Sequence, residues 1–428
     1  MAATRRGFSV DKQQQCRYVS GTTVTKNQPW WREPTRGQWA AFAAAYFAWT
    51  LDSFDFNVYS MEAVKIGKEF GVSTTSTMWV ISLTLLTRLI GGIVAGTLGD
   101  KYGRKLPLLI AIVWIAVCDG AIALAPNFTW VIVLRALFGF GMGAVWVSSA
   151  TMAMENWPVR SRGIASGILQ GGWAVGFFLA ALVASHISEL WGWRAVFVAS
   201  AAPGLLAIPI HFFVPDSSNH VAQKAAGVAP VSWGELLSDK VVVRNLVWGV
   251  FVMAFGFCEY YGFTQLYPKL AMVLVGEYSL YVYLFSAGML VGAPFFGWVA
   301  ATRGPGTAII GASLGALVAA PFCLGIFPTP ASALVLGIGA VFVGACGGGV
   351  AGVTPALLTA TYPQAIRARA MGTVYNVGAF ASAGVSPLIA WMNDKQGFEL
   401  GQAMGVVAGS ALVLLMFSMA FRPKLVVA

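Results

Sequence analysis

Apolar residues in this chain neither alternate nor recur at helical spacing; they run on for about twenty positions at a time. Runs of that length cross the bilayer as helices, whereas a membrane barrel shows shorter, alternating strands. Twelve such runs are legible, over 38–61, 78–98, 106–125, 129–153, 164–187, 193–214, 243–266, 279–300, 306–326, 331–354, 370–392 and 400–421. Residues 1–37 are polar and lack the apolar core of a cleavable signal peptide. Trp30 and Trp31 mark the inner membrane interface, where indoles prefer to sit. The longest polar connection, 215–242, carries a short amphipathic piece at 232–237 and separates 38–214 from 243–421, leaving 422–428 as a tail. The expected fold is an all-α membrane protein with twelve transmembrane helices in two six-helix bundles.

Composition agrees. Hydrophobic residues make up 57% and charged residues 10%, against about 25% charged in soluble domains. The 49 glycines suit close helix–helix approach in lipid. Five scattered cysteines imply neither a disulfide framework nor a metal site. The net charge of +10 is topological. Of the Lys and Arg residues, only Lys65, Lys68, Arg194, Lys269 and Lys395 fall in outer loops, and only Arg88 and Arg135 fall within spans. The rest lie on cytoplasmic segments, as cations in short loops resist translocation. Both termini are therefore expected in the cytoplasm, and nucleic acid is not an expected partner.

The halves echo one another. Trp157, Arg162 and Gly167 recur as Tyr362, Arg367 and Gly372 at an offset of 205, and Gly91 and Gly96 recur as Gly292 and Gly297 at 201. Parallel repeats of this kind place a substrate site between the halves near the midplane.

Ionisable residues inside spans are expensive and hence candidate functional groups. Asp52 and Asp55 lie i, i+3 on one face of the first span. Two carboxylates sharing a low-dielectric face cannot both ionise cheaply, so at least one is expected to carry a proton, unless one is held in a permanent ion pair. Arg88 sits about eleven residues into the second span, roughly 16 Å deep. It needs either a fixed anionic partner or a recurrent one, such as a substrate carboxylate. Arg135 opens Arg135-Ala136-Leu137-Phe138-Gly139-Phe140-Gly141-Met142-Gly143 in the fourth span and is expected to pair with a first-span aspartate.

Glu259, the one acid within second-half spans, is read either as a proton-coupling group at a gate weakened by Gly262 or as a solvated interface residue. Gln170, Trp173, Tyr260, Tyr261, Gln265, Tyr375 and Asn376 are candidate substrate contacts, or else hydrogen bonds between helices. The depth of Asp119 is not legible. No glycine tract carries the lysine of a phosphate loop, which argues against an ATP-driven pump.

The stretch Gly96-Thr97-Leu98-Gly99-Asp100-Lys101-Tyr102-Gly103-Arg104-Lys105, between the second and third spans, resembles the loop 2–3 signature of the major facilitator superfamily. With the Arg135 motif, Glu155-x-x-Pro158-x-x-x-Arg162-Gly163 and the two-half layout, the resemblance covers 38–421. It implies an inner gate of Gly96, Asp100, Gly103, Arg104, Glu155, Arg162 and Arg367. Asp52-Ser53-Phe54-Asp55-Phe56 and Arg88 resemble metabolite:proton symporters, the sialate/lactate carriers and more loosely the aromatic-acid carriers, from which Ser53 departs. The resemblance implies uptake of a small organic anion with protons by alternating access. Asp52, Asp55 and Glu259 are the proton-coupling candidates, and Arg88 and Arg135 the substrate cations. No cofactor is expected beyond the proton gradient, and the protein is expected to act as a monomer in the plasma membrane. A proton-coupled exporter of lipophilic compounds is the alternative. No nucleophile–base constellation supports an enzyme.

Overall fold

The computed structural model describes residues 29–154, 157–213, 238–327, 332–362 and 366–423. The chain enters through a turn of 3₁₀ helix, Trp30–Arg32. The first bundle contains α1 (Arg36–Glu69), α2 (Thr74–Tyr102), α3 (Lys105–Ile122), α4 (Phe128–Met154), α5 (Arg162–Ala201) and α6 (Ala207–Phe213). The second contains α7 (Lys240–Thr264), α8 (Tyr267–Val275), α9 (Ser279–Arg303), α10 (Pro305–Cys323), α11 (Ala333–Thr361), α12 (Arg367–Ala381), α13 (Val385–Lys395) and α14 (Leu400–Ala420). The amphipathic piece expected at 232–237, Glu155 and most of the N-terminal tail lie outside the described residues.

Local chemistry starts these helices. Thr35 and Gln38 form a capping box on α1, each side chain taking the other's backbone N–H. Ser73 caps α2 through Ser76 N–H at 3.1 Å, and Asp239 caps α7 through Val241 N–H at 2.8 Å. Gly103 ends α2 with φ 93°, a conformation side chains resist.

Among the described residues, nine helical stretches are long and apolar enough to cross a bilayer. The other three expected spans are present but interrupted or polar. α1 carries the buried aspartates Asp52 and Asp55. The sixth span continues from the fifth without a loop, the helix merely kinking at Gly192 (φ 80°, ψ 168°). The eleventh is divided at Ser382–Gly384 into α12 and α13. α1 also runs two turns past its expected end, where Ser188 of α5 donates to Glu62 (2.7 Å) and accepts from Lys65 (2.7 Å). The seventh span breaks at Gln265–Leu266 rather than at Gly262, which instead packs against Ala408 of α14.

The internal echo is structural. A side chain at Gly91, Gly139 or Gly143 would collide with the backbone of Phe140, Thr84 or Arg88, locking α2 against α4. Gly292, Gly344 and Gly348 meet Ala345, Phe285 and Met289 in the same way, locking α9 against α11. Residues 78–102 of α2 map onto α9 by 201, and every α4 residue maps onto α11 by 205. The loop arginines repeat too: Arg162 donates to Trp157 O (3.0 Å) and Arg367 to Tyr362 O (3.2 Å). Met289 occupies the position that Arg88 holds in the first half. The polar machinery is therefore an asymmetry laid on a symmetric frame.

The bundles meet through α5 against α9 and α11, and through α2 against α12. Two serines of the first bundle reach helices of the second beside prolines. Pro387 has no N–H to offer the carbonyl of Ala383, and Ser82 of α2 donates to it at 2.8 Å. Beside Pro355 in α11, the Ser166 hydroxyl of α5 donates to Gly352 O (2.7 Å) and accepts from Ala356 N–H (3.2 Å). Ser166 lies toward the end of the molecule that carries the α2–α3 turn, and Ser82 toward the other.

Candidate functional site

Within the first bundle, α1, α3 and α4 bring Asp52, Asp55, Asp119 and Arg135 together, each at most 3% exposed. Arg135 Nη1 donates to Asp119 Oδ1 at 3.5 Å and to the backbone carbonyl of Asp55 at 3.3 Å. Its guanidinium also lies 4.0 Å from the Phe138 ring centroid and 4.9 Å from that of Tyr59. The ion pair expected with a first-span aspartate thus falls on α3, because Asp119 sits deep enough, one helix over, to take the cation. Both carboxylate oxygens of Asp52 and Oδ1 of Asp55 have no hydrogen-bond partner among the described residues.

Arg88 is fully buried on α2. Its guanidinium stands 5.1 Å from the Tyr375 ring and 5.9 Å from the Phe257 ring. The Tyr261 and Tyr375 phenols and Asp52 are near enough to act on it electrostatically. No hydrogen bond of normal geometry reaches any of its three nitrogens among the described residues. A buried cation so poorly satisfied is costly at rest and poised for an anion. Tyr375 also stacks on Trp146 at 3.4 Å and 14°, and both it and Phe257 border the space beyond, which Arg88 itself does not line.

That space is a cavity between the bundles, about 630 Å³ counting its mouth. The first bundle contributes Trp49, Gln170 and Trp173; the second contributes Phe257, Tyr260 and Tyr375, among aliphatic neighbours. Trp173 Nε1 donates to the Tyr260 hydroxyl at 2.5 Å, tying the halves together across the cavity. Glu259 lines the same wall, is 2% exposed, and makes no ion pair among the described residues. The solvated-interface reading of Glu259 therefore fails. Gln170 is present with its Oε1 unpartnered. Gln265 lies outside the cavity, accepting from Ser60 of α1 at 2.8 Å, and Asn376 packs against Gly92 and donates to Gly372 O. Tyr261 faces Arg88 rather than the cavity lining.

Of the residues read as an inner gate, Gly96, Gly103 and Arg104 lie at or near the α2–α3 connection, Arg162 opens α5, and Arg367 opens α12 near enough to act on Arg162 electrostatically. Gly96 faces Arg369 of α12, and Arg104 folds over Gly99. The Asp100 side chain and Glu155 lie outside the described residues. Sequence reasoning missed Trp49, Phe257 and Met289 in the cavity wall, and Trp146 behind Tyr375. Apolar residues in an apolar span carry no pattern that singles them out. Asp119 did carry a signal, a charge in a span, blurred by its place near the end of short α3.

A helical membrane protein in two bundles, with unpaired charges beside a cavity between them, is built to carry solute. Comparison with known proteins gives that class its family. The profile of the Major Facilitator Superfamily matches residues 39–276. The chain is 28% identical over 382 residues to a cis,cis-muconate transport protein of Acinetobacter baylyi, covering 87% of this chain and 91% of that one. It is 26% identical over 396 residues to the sialic acid transporter NanX of Escherichia coli, covering 90% and 95%. The solved structure of the proton:xylose symporter XylE superposes with a TM-score of 0.70 at 19% identity, over 90% of this chain and 96% of that one. The chain belongs to the major facilitator superfamily. It is a multi-pass membrane transporter, not an enzyme, with the twelve-helix, two-bundle fold.

Proposed function

We propose that this transporter takes up a small organic anion together with protons, by alternating access. The observation that carries the reading is Arg88: a fully buried guanidinium that no hydrogen bond of normal geometry reaches among the described residues, behind Phe257 and Tyr375 of the cavity between the bundles. A substrate carboxylate drawn past Tyr375 and Phe257 supplies the missing acceptor. Arg135, held by Asp119, keeps the adjoining field positive. Asp52 and Asp55, with carboxylate oxygens that have no hydrogen-bond partner among the described residues, take the proton. Neutralising these charges lets the halves close over a low-dielectric interior. Relatives named for muconate and sialic acid, both organic acids, support the substrate class. The proton gradient is the proposed energy source, without cofactor. The proposed setting is the plasma membrane, with both termini cytoplasmic and the monomer as the working unit.

The test is uptake into liposomes under an inward proton gradient, with labelled lactate, sialate, hydroxybenzoate and dicarboxylates. Uptake of an acid that an uncoupler and Arg88→Ala both abolish supports symport. Uptake indifferent to both removes the proton-coupled mechanism.

One observation favours a second reading. The cavity wall is aromatic and aliphatic, with an acid and no Lys, Arg or His among its lining residues, which suits a lipophilic cation. Proton-driven extrusion of a cationic dye, with no acid uptake, would support an exporter.

A further inference from the structure

Among the described residues, Glu259 differs from the other buried acids in having no cation beside it; Glu62, for one, pairs with Lys65 at 3.6 Å. Asp52, Asp55 and Asp119 share their cluster with Arg135, and Asp52 lies within the field of Arg88. Glu259 faces the cavity with no cation beside it. Room for its carboxyl is built into α11: a Cβ on Gly347, itself a cavity residue, would stand 2.9 Å from Glu259 Oε1. The cavity that Glu259 lines is also lined by Trp49, Trp173, Phe257 and Tyr375, the last two of which lie against Arg88.

The site therefore has two unlike poles, a guanidinium behind Tyr375 and a lone carboxyl in the open wall. We propose that Glu259 is a specificity-determining residue that accepts a hydrogen bond from a hydroxyl or N–H group of the substrate, so that the protein selects flat monocarboxylates bearing such a donor and rejects dianions. The proposal rests on the organic-anion reading above and narrows it. A substrate carboxylate at Arg88 finds the acceptor-hungry cation, while its donor meets the one acidic group among the described residues that line the cavity. A second carboxylate would meet that acid across a desolvated gap with no cation between them, and like charges in low dielectric repel strongly. Discrimination comes from this repulsive element as much as from the attractive one. The aromatic walls favour planar ligands, whose faces stack against Trp49 and Trp173, themselves 4.6 Å apart.

The test uses matched pairs in which a hydroxyl is exchanged for a carboxyl: lactate with methylmalonate, 3-hydroxybenzoate with isophthalate, and 4-hydroxybenzoate with terephthalate. Each competes for uptake and for counterflow in liposomes holding wild-type protein, Glu259→Gln or Gly347→Ala. The wild type is expected to prefer the hydroxy acid of at least one pair by about tenfold or more. Glu259→Gln, which keeps volume and polarity but loses the charge, is expected to lower absolute uptake and to shift that ratio about tenfold toward the diacid. Gly347→Ala crowds the carboxyl and is expected to weaken the hydroxy acid selectively. Elution as a single species in detergent establishes that each variant is folded.

Diacids taken up by the wild type as well as their hydroxy partners would overturn the proposal. So would an unchanged ratio in Glu259→Gln. Loss of proton-driven uptake in Glu259→Gln with counterflow selectivity intact would make Glu259 a proton carrier instead. Failure of the wild type to move or bind any acid, with or without Arg88, would overturn the organic-anion reading itself, a result distinct from a lost preference among transported acids.

Discussion

Arg135 pairs with Asp119, not with the carboxylates of Asp52 or Asp55: its Nη1 lies 3.5 Å from Asp119 Oδ1 and hydrogen-bonds α1 at the Asp55 backbone carbonyl, 3.3 Å away. The buried cation thus has a partner on α3, while the α1 carboxylates keep oxygens without one. The structural pair and the proposed proton-carrying groups thus fall on different helices. Asp119→Asn leaves Arg135 buried without its anion, and breaking a buried pair on one side costs about 3–5 kcal/mol. The expected result is a large fall in melting temperature in detergent. Asp55→Asn leaves that pair intact, so it is expected to stop proton-driven uptake while costing much less stability. Equal losses of stability in the two variants would contradict the division.

Arg88 predicts the opposite sign. Its nitrogens lack hydrogen-bond acceptors among the described residues, so the resting protein bears the cost of burying the charge. Arg88→Met fills similar volume without that charge. It is expected to raise the melting temperature while lowering uptake by about a hundredfold or more, the trade of stability for function common at binding sites. Arg88→Lys is not a conservative change here, because a point charge cannot replace a planar fork lying by Tyr375 and Phe257. Unchanged uptake in Arg88→Lys would contradict this account.

Span positions, the two-half repeat and the burial of charge at Asp52, Asp55 and Arg88 were legible because each leaves a one-dimensional mark. The marks are an uninterrupted apolar run, a constant offset, and a charge where charge is costly. The Arg135–Asp119 pairing was not legible, since i, i+3 logic governs one helix and says nothing of which helix faces which. The kink at Gly192 hid for a related reason: a positive φ at one glycine turns the chain without a polar loop. Trp49, Phe257 and Met289 were invisible because the face an apolar residue presents is decided by packing.

At the far end of α1 a polar clasp predicts a pH dependence. Burial, the largest single influence, raises the Glu69 carboxyl, but hydrogen bonds from Arg194 and Trp193 (2.6 Å) together with the Arg194 charge outweigh it and hold the carboxyl below the ordinary 4.5. A depressed folded-state value means the clasp contributes fully above 4.5 and is lost as pH falls through that lower value. Arg194 and Glu69 are 39% and 41% exposed, so the contribution is at most about 1 kcal/mol. The melting-temperature gap between wild type and Glu69→Gln is expected to hold constant from neutral pH to about 5 and to close under more acid conditions. A gap that widened on acidification would contradict the sign.

The two serine contacts lie toward opposite ends of the cavity, and each crosses from the first bundle to a proline-containing region of the second. Opening toward the end that bears the α2–α3 turn must part Ser166 from Gly352 and Ala356; opening toward the other end must part Ser82 from Ala383. Each hydroxyl is worth about 1 kcal/mol, which shifts a two-state equilibrium about fivefold. Ser166→Ala is therefore expected to favour access from the α2–α3 end, and Ser82→Ala access from the opposite end. The measurement is the rate at which an impermeant thiol reagent, added to one side and then the other, labels a cysteine placed at the cavity residue Ala351 in a background lacking the five natural cysteines. Opposite shifts in the two variants fit alternating latches. Shifts in the same direction would mean that the serines only stabilise the bundle contact, and the proposed rocking of the halves would have to be limited by other contacts, among them the Trp173–Tyr260 hydrogen bond.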